Sequence, residues 1–193
     1  MKKIVIGIVA VVALVALISG CGYNGLVKMD EDVKNKWSNV EAQYQRRSDL
    51  IPNLVSTVKG AAKFEQSTLT AVIEARASAS KITIDPDKLN AENMEKYQAA
   101  QGQITQALGK LMVLTENYPE LKATQQFSDL SAQLEGTENR IKVARDNFND
   151  VVTTYNKKVR RFPASLFAGI MGFSKRAQFE AADNAQDAPT VTF

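Results

Sequence analysis

The chain of 193 residues has no histidine, one cysteine, one tryptophan and five prolines. Without histidine there is no Ser-His-Asp or Cys-His catalysis, no His-bearing zinc site and no histidine pH switch. The lone Cys21 excludes an internal disulfide framework and a thiolate metal site. Carboxylates alone could suggest a di-metal helical bundle, but that site uses Glu-x-x-His pairs. No metal, no cofactor and no catalytic residue set is therefore expected, and the chain reads as a protein that is not an enzyme. Net charge is scarce too: beyond residue 20 the balance is 22 basic against 21 acidic side chains. The pI of 8.9 thus reports little about a partner. No basic block or aromatic–basic interleaving supports a nucleic-acid partner.

What is present begins at the N-terminus. Met-Lys-Lys is followed by an uncharged stretch of 24 residues, 4–27, apolar but for one glycine as far as residue 18. A membrane helix needs roughly 20 mostly apolar residues, and a signal-peptide core roughly 7–15 after a basic start. Both descriptions fit. Ile18-Ser19-Gly20-Cys21 resembles a bacterial lipobox, in which the cysteine is acylated after cleavage before it. Acyl chains at about 0.8 kcal/mol per buried methylene would anchor the chain without a spanning helix. The alternative is an uncleaved helix in which Cys21 is a small apolar residue. Either way Lys2 and Lys3 place the N-terminus in the cytoplasm and residues 22–193 on the far side.

Between residues 28 and 161 glycine and proline are sparse, and Ala, Gln, Glu, Lys and Leu dominate, which favours helix. Leu26, Val33, Trp37, Val40, Tyr44, Ile51, Leu54, Val58, Ala62, Leu69 and Val72 form one 3–4 spaced seam. Met94, Tyr97, Ile104, Leu108, Leu111 and Tyr118 form a second. The third is a heptad series, Phe127, Leu134, Ile141, Phe148 and Tyr155, with Leu130, Thr137, Ala144 and Val151 between. Such seams pack helices at shallow angles. The expectation is an all-α, antiparallel up-and-down helical bundle of three long helices plus a short fourth behind one N-terminal membrane or signal segment. The divisions expected are an anchor over 1–21, a bundle over 22–178 and a disordered tail over 179–193. Pro52 falls inside the first seam, which keeps its phase across it, so one long kinked helix is favoured over a new helix capped by Asp49. Thr83-Ile84-Asp85-Pro86-Asp87 and Tyr118-Pro119-Glu120 separate the helices, and Pro163 ends the third. The apolar run 164–173 is too short to span a bilayer and reads as a hook closing the bundle.

Extended in phase, the first seam meets charges at Arg47, Glu65 and Arg76, and the third carries Glu138 beside Thr137 and Arg145 beside Ala144. Gln101 interrupts the second. A charge inside a bundle must be paired, and antiparallel partners could join Glu138 and Arg145 to Arg47, Arg76 and Glu65. Three readings stay open: pairs that fix register, side chains that snorkel to water, or a polar groove that binds something.

Several motifs together resemble the LemA family of bacterial membrane proteins. They are Tyr23-Asn24-Gly25-Leu26-Val27, Trp37, the run from Gln43 through Arg46, Arg47, Asp49 and Pro52 to Val55, and Thr57-Val58-Lys59-Gly60. Further on stand Glu65, Ala75-Arg76, Tyr118-Pro119-Glu120-Leu121-Lys122-Ala123, Thr137-Glu138-Asn139-Arg140-Ile141, Arg145, Tyr155-Asn156 and Phe162-Pro163. The resemblance covers nearly the whole chain after the anchor. It implies a bundle of about four helices behind one membrane segment in the bacterial cell membrane, and no established catalytic activity. It also places Arg46, Arg47, Asp49, Pro52, Glu65, Arg76, Glu138 and Arg145 at family motif positions, structural or binding. Family members usually carry a plain membrane helix before the Tyr-Asn motif, and Cys21 departs from that pattern. The function expected is a non-enzymatic interaction or scaffold module of the envelope, with the membrane and another envelope protein as partners and self-association open. The alternative is a lipid- or small-ligand-binding protein that uses its core.

Overall fold

The computed structural model describes residues 2–60 and 65–180, with side chains for all of these except residues 3, 8–21 and 167. Its elements are α1 (Lys2–Lys59), α2 (Gln66–Ala79), α3 (Ala91–Thr115), the four-residue α4 (Pro119–Lys122), α5 (Gln125–Arg160) and the four-residue α6 (Ala164–Phe167). No strand occurs among the described residues. The chain is all-α.

The local chemistry explains where the helices start and stop. Asn90 and Thr124 cap α3 and α5, each accepting from a backbone N–H three residues on. Asp85 caps a single 3₁₀ turn at Pro86–Lys88, its side chain accepting from the Asp87 N–H two residues on. Pro119 stands at the first position of α4, where a missing N–H costs nothing. One expectation fails here. The first seam does not run unbroken through Val72: α1 ends at Lys59, and α2 begins at Gln66. Lys59-Gly60 is a helix-stop signal, a cation in the last turn followed by the residue that best tolerates helix exit. The fourth bundle helix is therefore α2, cut from the first seam, and not the hook near residue 164.

The helices alternate in direction. Trp37 meets Phe148 and Arg47 meets Glu138, so α1 and α5 are antiparallel. Trp37 also meets Tyr97, and Arg47 meets Gln101, so α3 runs with α1. Arg76 of α2 reaches back to Ser48, which makes α2 antiparallel to both. α1 packs most closely on α5, and α2 on α3.

Burial follows the heptads. On α1 the buried series 26, 30, 33, 37, 40, 44, 47, 51, 54 and 58 alternates steps of four and three, with Ser48 and Val55 buried beside it. On α5 the series shifts once: Val152 is fully buried where the strict heptad predicts Val151, which is half-buried. A straight helix drifts about 20° per heptad against a 3.5 repeat, and after four heptads the core face has moved on by one residue.

The apolar core comes in two clusters. One gathers Leu26 to Tyr44 of α1, Tyr97 of α3, Ile141 to Val159 of α5, and Phe179. The other gathers Ile51 to Val58 of α1, most of α2, Ile104 to Leu111 of α3, and Phe127 to Leu134 of α5. In the first cluster α2 is absent, and its place is taken by the 82–89 connection and by the non-helical segment 173–180. Phe179, one residue past the expected end of the bundle, sits inside that cluster against Trp37 and Phe148.

Among the described residues no helix is long and apolar enough to cross a membrane. The side chains on which the anchor expectation chiefly rests, including Cys21, lie outside the described ones, as do the tail residues 181–193.

Candidate functional site

Between the two clusters lies one polar layer, and its centre is Arg47. The α1 heptad puts this side chain where a leucine would sit, 1 % exposed. Its guanidinium donates from Nη1 to Glu138 Oε1 at 2.6 Å and to Thr105 Oγ1 at 2.8 Å. From Nη2 it donates to Gln101 Oε1 at 2.7 Å and to the Gln101 carbonyl at 3.1 Å. The alkyl stem carries the charge over the Tyr44 ring, 5.1 Å from its centroid. Four acceptors from α3 and α5 thus converge on one cation of α1. Glu138 keeps 42 % of its side chain in water, so the pair avoids the full cost of desolvating both ions. The layer joins α3 to α5 across a gap. On either side of Thr105 and Glu138 that gap opens as a cleft, one lined by Leu108, Met112, Phe127 and Leu134, the other by Gln98, Ile141 and Arg145.

The second motif couple lies beside it. Pro52 sits within α1 and has no N–H to give the carbonyl four residues back, that of Ser48. Ser48 is buried, and an unmet buried carbonyl is costly. Arg76 of α2 fills the vacancy, its Nε–H donating to Ser48 O at 2.9 Å. Arg76 is thus held at the edge of the seam by Pro52, and pairs with a backbone group instead of a carboxylate.

The other sequence candidates fall elsewhere. Glu65 is exposed, ahead of α2, and accepts from Ser67. Arg46 and Pro52 are exposed, and Asp49 is exposed and accepts from Gln45. Arg145 meets no seam carboxylate. It lies over the Phe179 ring at 4.6 Å and reaches the Glu180 carbonyl at 3.4 Å, clasping the C-terminal segment.

A third polar cluster was not expected from the sequence. Arg176 donates from Nη2 to Asp30 Oδ1 at 2.9 Å and from Nη1 to the Asp87 carbonyl. Lys34 joins Asp30 at 3.3 Å and Asp87 at 3.0 Å. Asp87, against partial burial, holds the Lys34 ammonium above its usual value, with Asp30 adding to it. Lys34 in turn, and then Arg176, hold the Asp87 carboxyl below the usual carboxylate range. Burial opposes the charge on Arg176, and the Asp30 carboxylate more than offsets it. Burial also pushes the neighbouring Tyr155 phenol up.

The same segment is tied to α5 by two asparagines seven residues apart. Asn156 accepts from the Arg176 N–H at 2.9 Å and donates to its carbonyl at 2.8 Å. Asn149 does the same for Phe179, 2.9 Å each way. Asp30 was legible in principle, because it falls in phase between Leu26 and Val33. Segment 173–180 carries no helical period to betray it.

These features define an all-helical bundle whose one fully buried seam charge, Arg47, is met by partners inside the protein. The chain belongs to the LemA family, whose sequence profile matches residues 36–193. It is 30 % identical to magnetosome protein MamQ 2 of Paramagnetospirillum magneticum, over 97 % of this chain and 75 % of that protein. It is likewise 30 % identical to magnetosome protein MamQ of Magnetospirillum gryphiswaldense, over 95 % and 74 %. With Protein LemA of Metamycoplasma hominis it shares 26 % identity over 83 % and 69 %.

Proposed function

We propose that this chain is a membrane-anchored, non-enzymatic interaction module of the bacterial envelope, with its bundle outside the cytoplasm. The observation that carries this reading is Arg47, whose buried guanidinium is spent on four acceptors inside the protein. A charge so engaged fixes helix register and offers nothing to a substrate. That relatives are named for a cellular structure, the magnetosome, rather than for a reaction also supports an interaction role. The anchor is the apolar stretch 4–27, either spanning as a helix or replaced by lipid on Cys21 after cleavage. Intact mass of wild type and Cys21→Ala separates the two: a mature chain starting at Cys21 plus acyl mass in the wild type alone means lipid, and two full-length chains mean a helix.

The interaction role is tested by photo-crosslinking in intact cells from exposed positions on different bundle faces, such as Ile73, Val113 and Val143. One recurrent partner band is the expected result; repeated recovery of the bundle alone would sink the reading. A second reading, ligand binding, is favoured only by the apolar cleft beside Met112 and Phe127. Native mass spectrometry of detergent-extracted protein decides it, because a bound lipid or metabolite would appear as added mass.

A further inference from the structure

One stretch of surface differs from the rest of the bundle. From Val151 to Phe179 there is no aspartate or glutamate, while six Lys and Arg residues occur. Arg176 is spent on Asp30 and Asp87. The other five pair with no carboxylate among the described residues. Lys157, Arg160, Arg161 and Lys175 line one open cleft of about 660 Å³. The helix dipole favours cations in the last turn of α5, but it does not account for Lys175, which returns to the cleft on a different segment. Beside these cations the chain exposes large apolar side chains: Phe162 at 74 %, Leu166 at 59 % and Ile170 at 86 %. They recur every fourth residue in a stretch without a charge.

Position gives this patch its meaning. The Tyr23 ring packs edge-on against Phe173, centroids 5.8 Å apart, and α6 touches α1. The patch therefore sits where α1 leaves the bundle for its apolar N-terminal part. Exposed apolar side chains flanked by Lys and Arg are the pattern of an interfacial membrane contact, and the half-exposed Tyr23 suits the headgroup level.

We propose that the 157–175 end of the bundle docks on a bilayer surface bearing anionic headgroups. Phe162, Leu166 and Ile170 enter the interface, and the cationic cleft meets lipid phosphates. The inference rests on the membrane-anchored reading above, and adds a second, charge-selective contact beside the anchor. Each cation near an anionic surface strengthens binding roughly fivefold, and that share is lost in salt as screening sets in.

The test uses the full chain in vesicles of phosphatidylcholine alone or mixed with phosphatidylglycerol. Leu166→Trp places an indole on the patch at an exposed site, while the native Trp37 stays buried in the bundle. With brominated lipid, the added emission is expected to shift blue and be quenched at least twofold more in the mixed vesicles. Adding Lys157→Gln and Arg161→Gln should abolish that difference, as should high salt. Equal, water-like emission in both vesicle types overturns the docking. Flotation of the wild type is read in parallel and reports the anchor. Flotation with both vesicle types and no lipid-dependent signal rejects the docking alone. Flotation only with the mixed vesicles rejects the anchor and keeps the docking, and flotation with neither rejects both.

Discussion

The two halves of the bundle solve one packing problem with different materials. Beyond Arg47, four helices enclose a core of Ile, Leu, Val, Ala and one Phe. Before Arg47, three helices enclose an aromatic core of Trp37, Tyr44, Tyr97, Phe148 and Tyr155, and the fourth wall is a helix-free segment. A helix brings its own backbone hydrogen bonds, so α2 can be held almost wholly by apolar contacts. Segment 173–180 has no helical ladder, and its backbone is met from outside: by the side chains of Asn149 and Asn156, and by the Leu89 carbonyl, which accepts from the Ala177 N–H. Polar residues in the first half are the cost of using an extended wall.

The sharpest way to break the comparison is at the layer dividing the halves. Arg47→Ala leaves the buried Gln101 side chain unpaired and opens a cavity, while the part-exposed Glu138 turns to water. The substitution is expected to cost about 2–4 kcal/mol. Arg46→Ala, one residue along on the exposed face, should stay within about 0.5 kcal/mol. Urea denaturation followed by Trp37 fluorescence measures both, and similar losses for the two would refute the central role of the layer.

The helical wall is tested at Arg76. Arg76→Ala leaves the Ser48 carbonyl unmet, a loss of about 1–2 kcal/mol. In a Pro52→Ala background the restored N–H serves that carbonyl, so the same substitution should cost much less. A double-mutant cycle between the two positions is expected to show clear coupling; purely additive losses would mean that Arg76 does not serve the proline site.

The extended wall is tested at Asn156. Asn156→Ala removes both hydrogen bonds to Arg176, also about 1–2 kcal/mol, but the damage should be local. Limited trypsin digestion should cut faster at Lys175 and Arg176, while amide exchange in α2 and in the Ile51–Val58 part of α1 stays unchanged. Loss of protection in both halves would show that the walls are not independent.

The smallest effect is acid loosening. The folded-state pKa of Asp87 lies below its unfolded value of 3.8. Its contribution is thus complete above that pH and is lost as pH falls through the folded value. Amides around 85–89 should therefore exchange faster well below pH 4 before the distal half responds. Lys34→Met should move the Asp87 titration, followed by carboxyl NMR, back toward its usual range.

The heptads made most of the fold legible, because burial at a 3–4 spacing is a local property that every turn of helix repeats. Arg47 was legible as a seam charge for the same reason, being in phase with Tyr44 and Ile51, although phase alone left burial and snorkelling to water both open. Its partners were also visible, Gln101 as an interruption of the second seam and Glu138 beside the Thr137 position of the third. The break at Gly60 was not, because the apolar phase carries across it to Leu69. Arg76 stood out as a seam charge, but its partner is a backbone carbonyl freed by a proline, which no pattern of side chains reveals. The Asp30–Arg176 pair joins residues 146 apart, one of them in a stretch with no period. Only the chain's path brings them together.

The unbroken course of α1 sets the bearing of the whole molecule. Its 58 residues, at about 1.5 Å each, make a rod about 87 Å long with no swivel where the apolar stretch gives way to charge. A domain on a loose tether sweeps a hemisphere, and any face can meet any neighbour. With residues 2–20 retained, α1 is a post: the tilt and rotation of its first turns are handed to its last. The turn beyond Lys59 is carried at a fixed reach, about 50 Å past Val27, and with one azimuth. On the proposed reading with an uncleaved anchor helix, a neighbour would meet the bundle at a set height and heading.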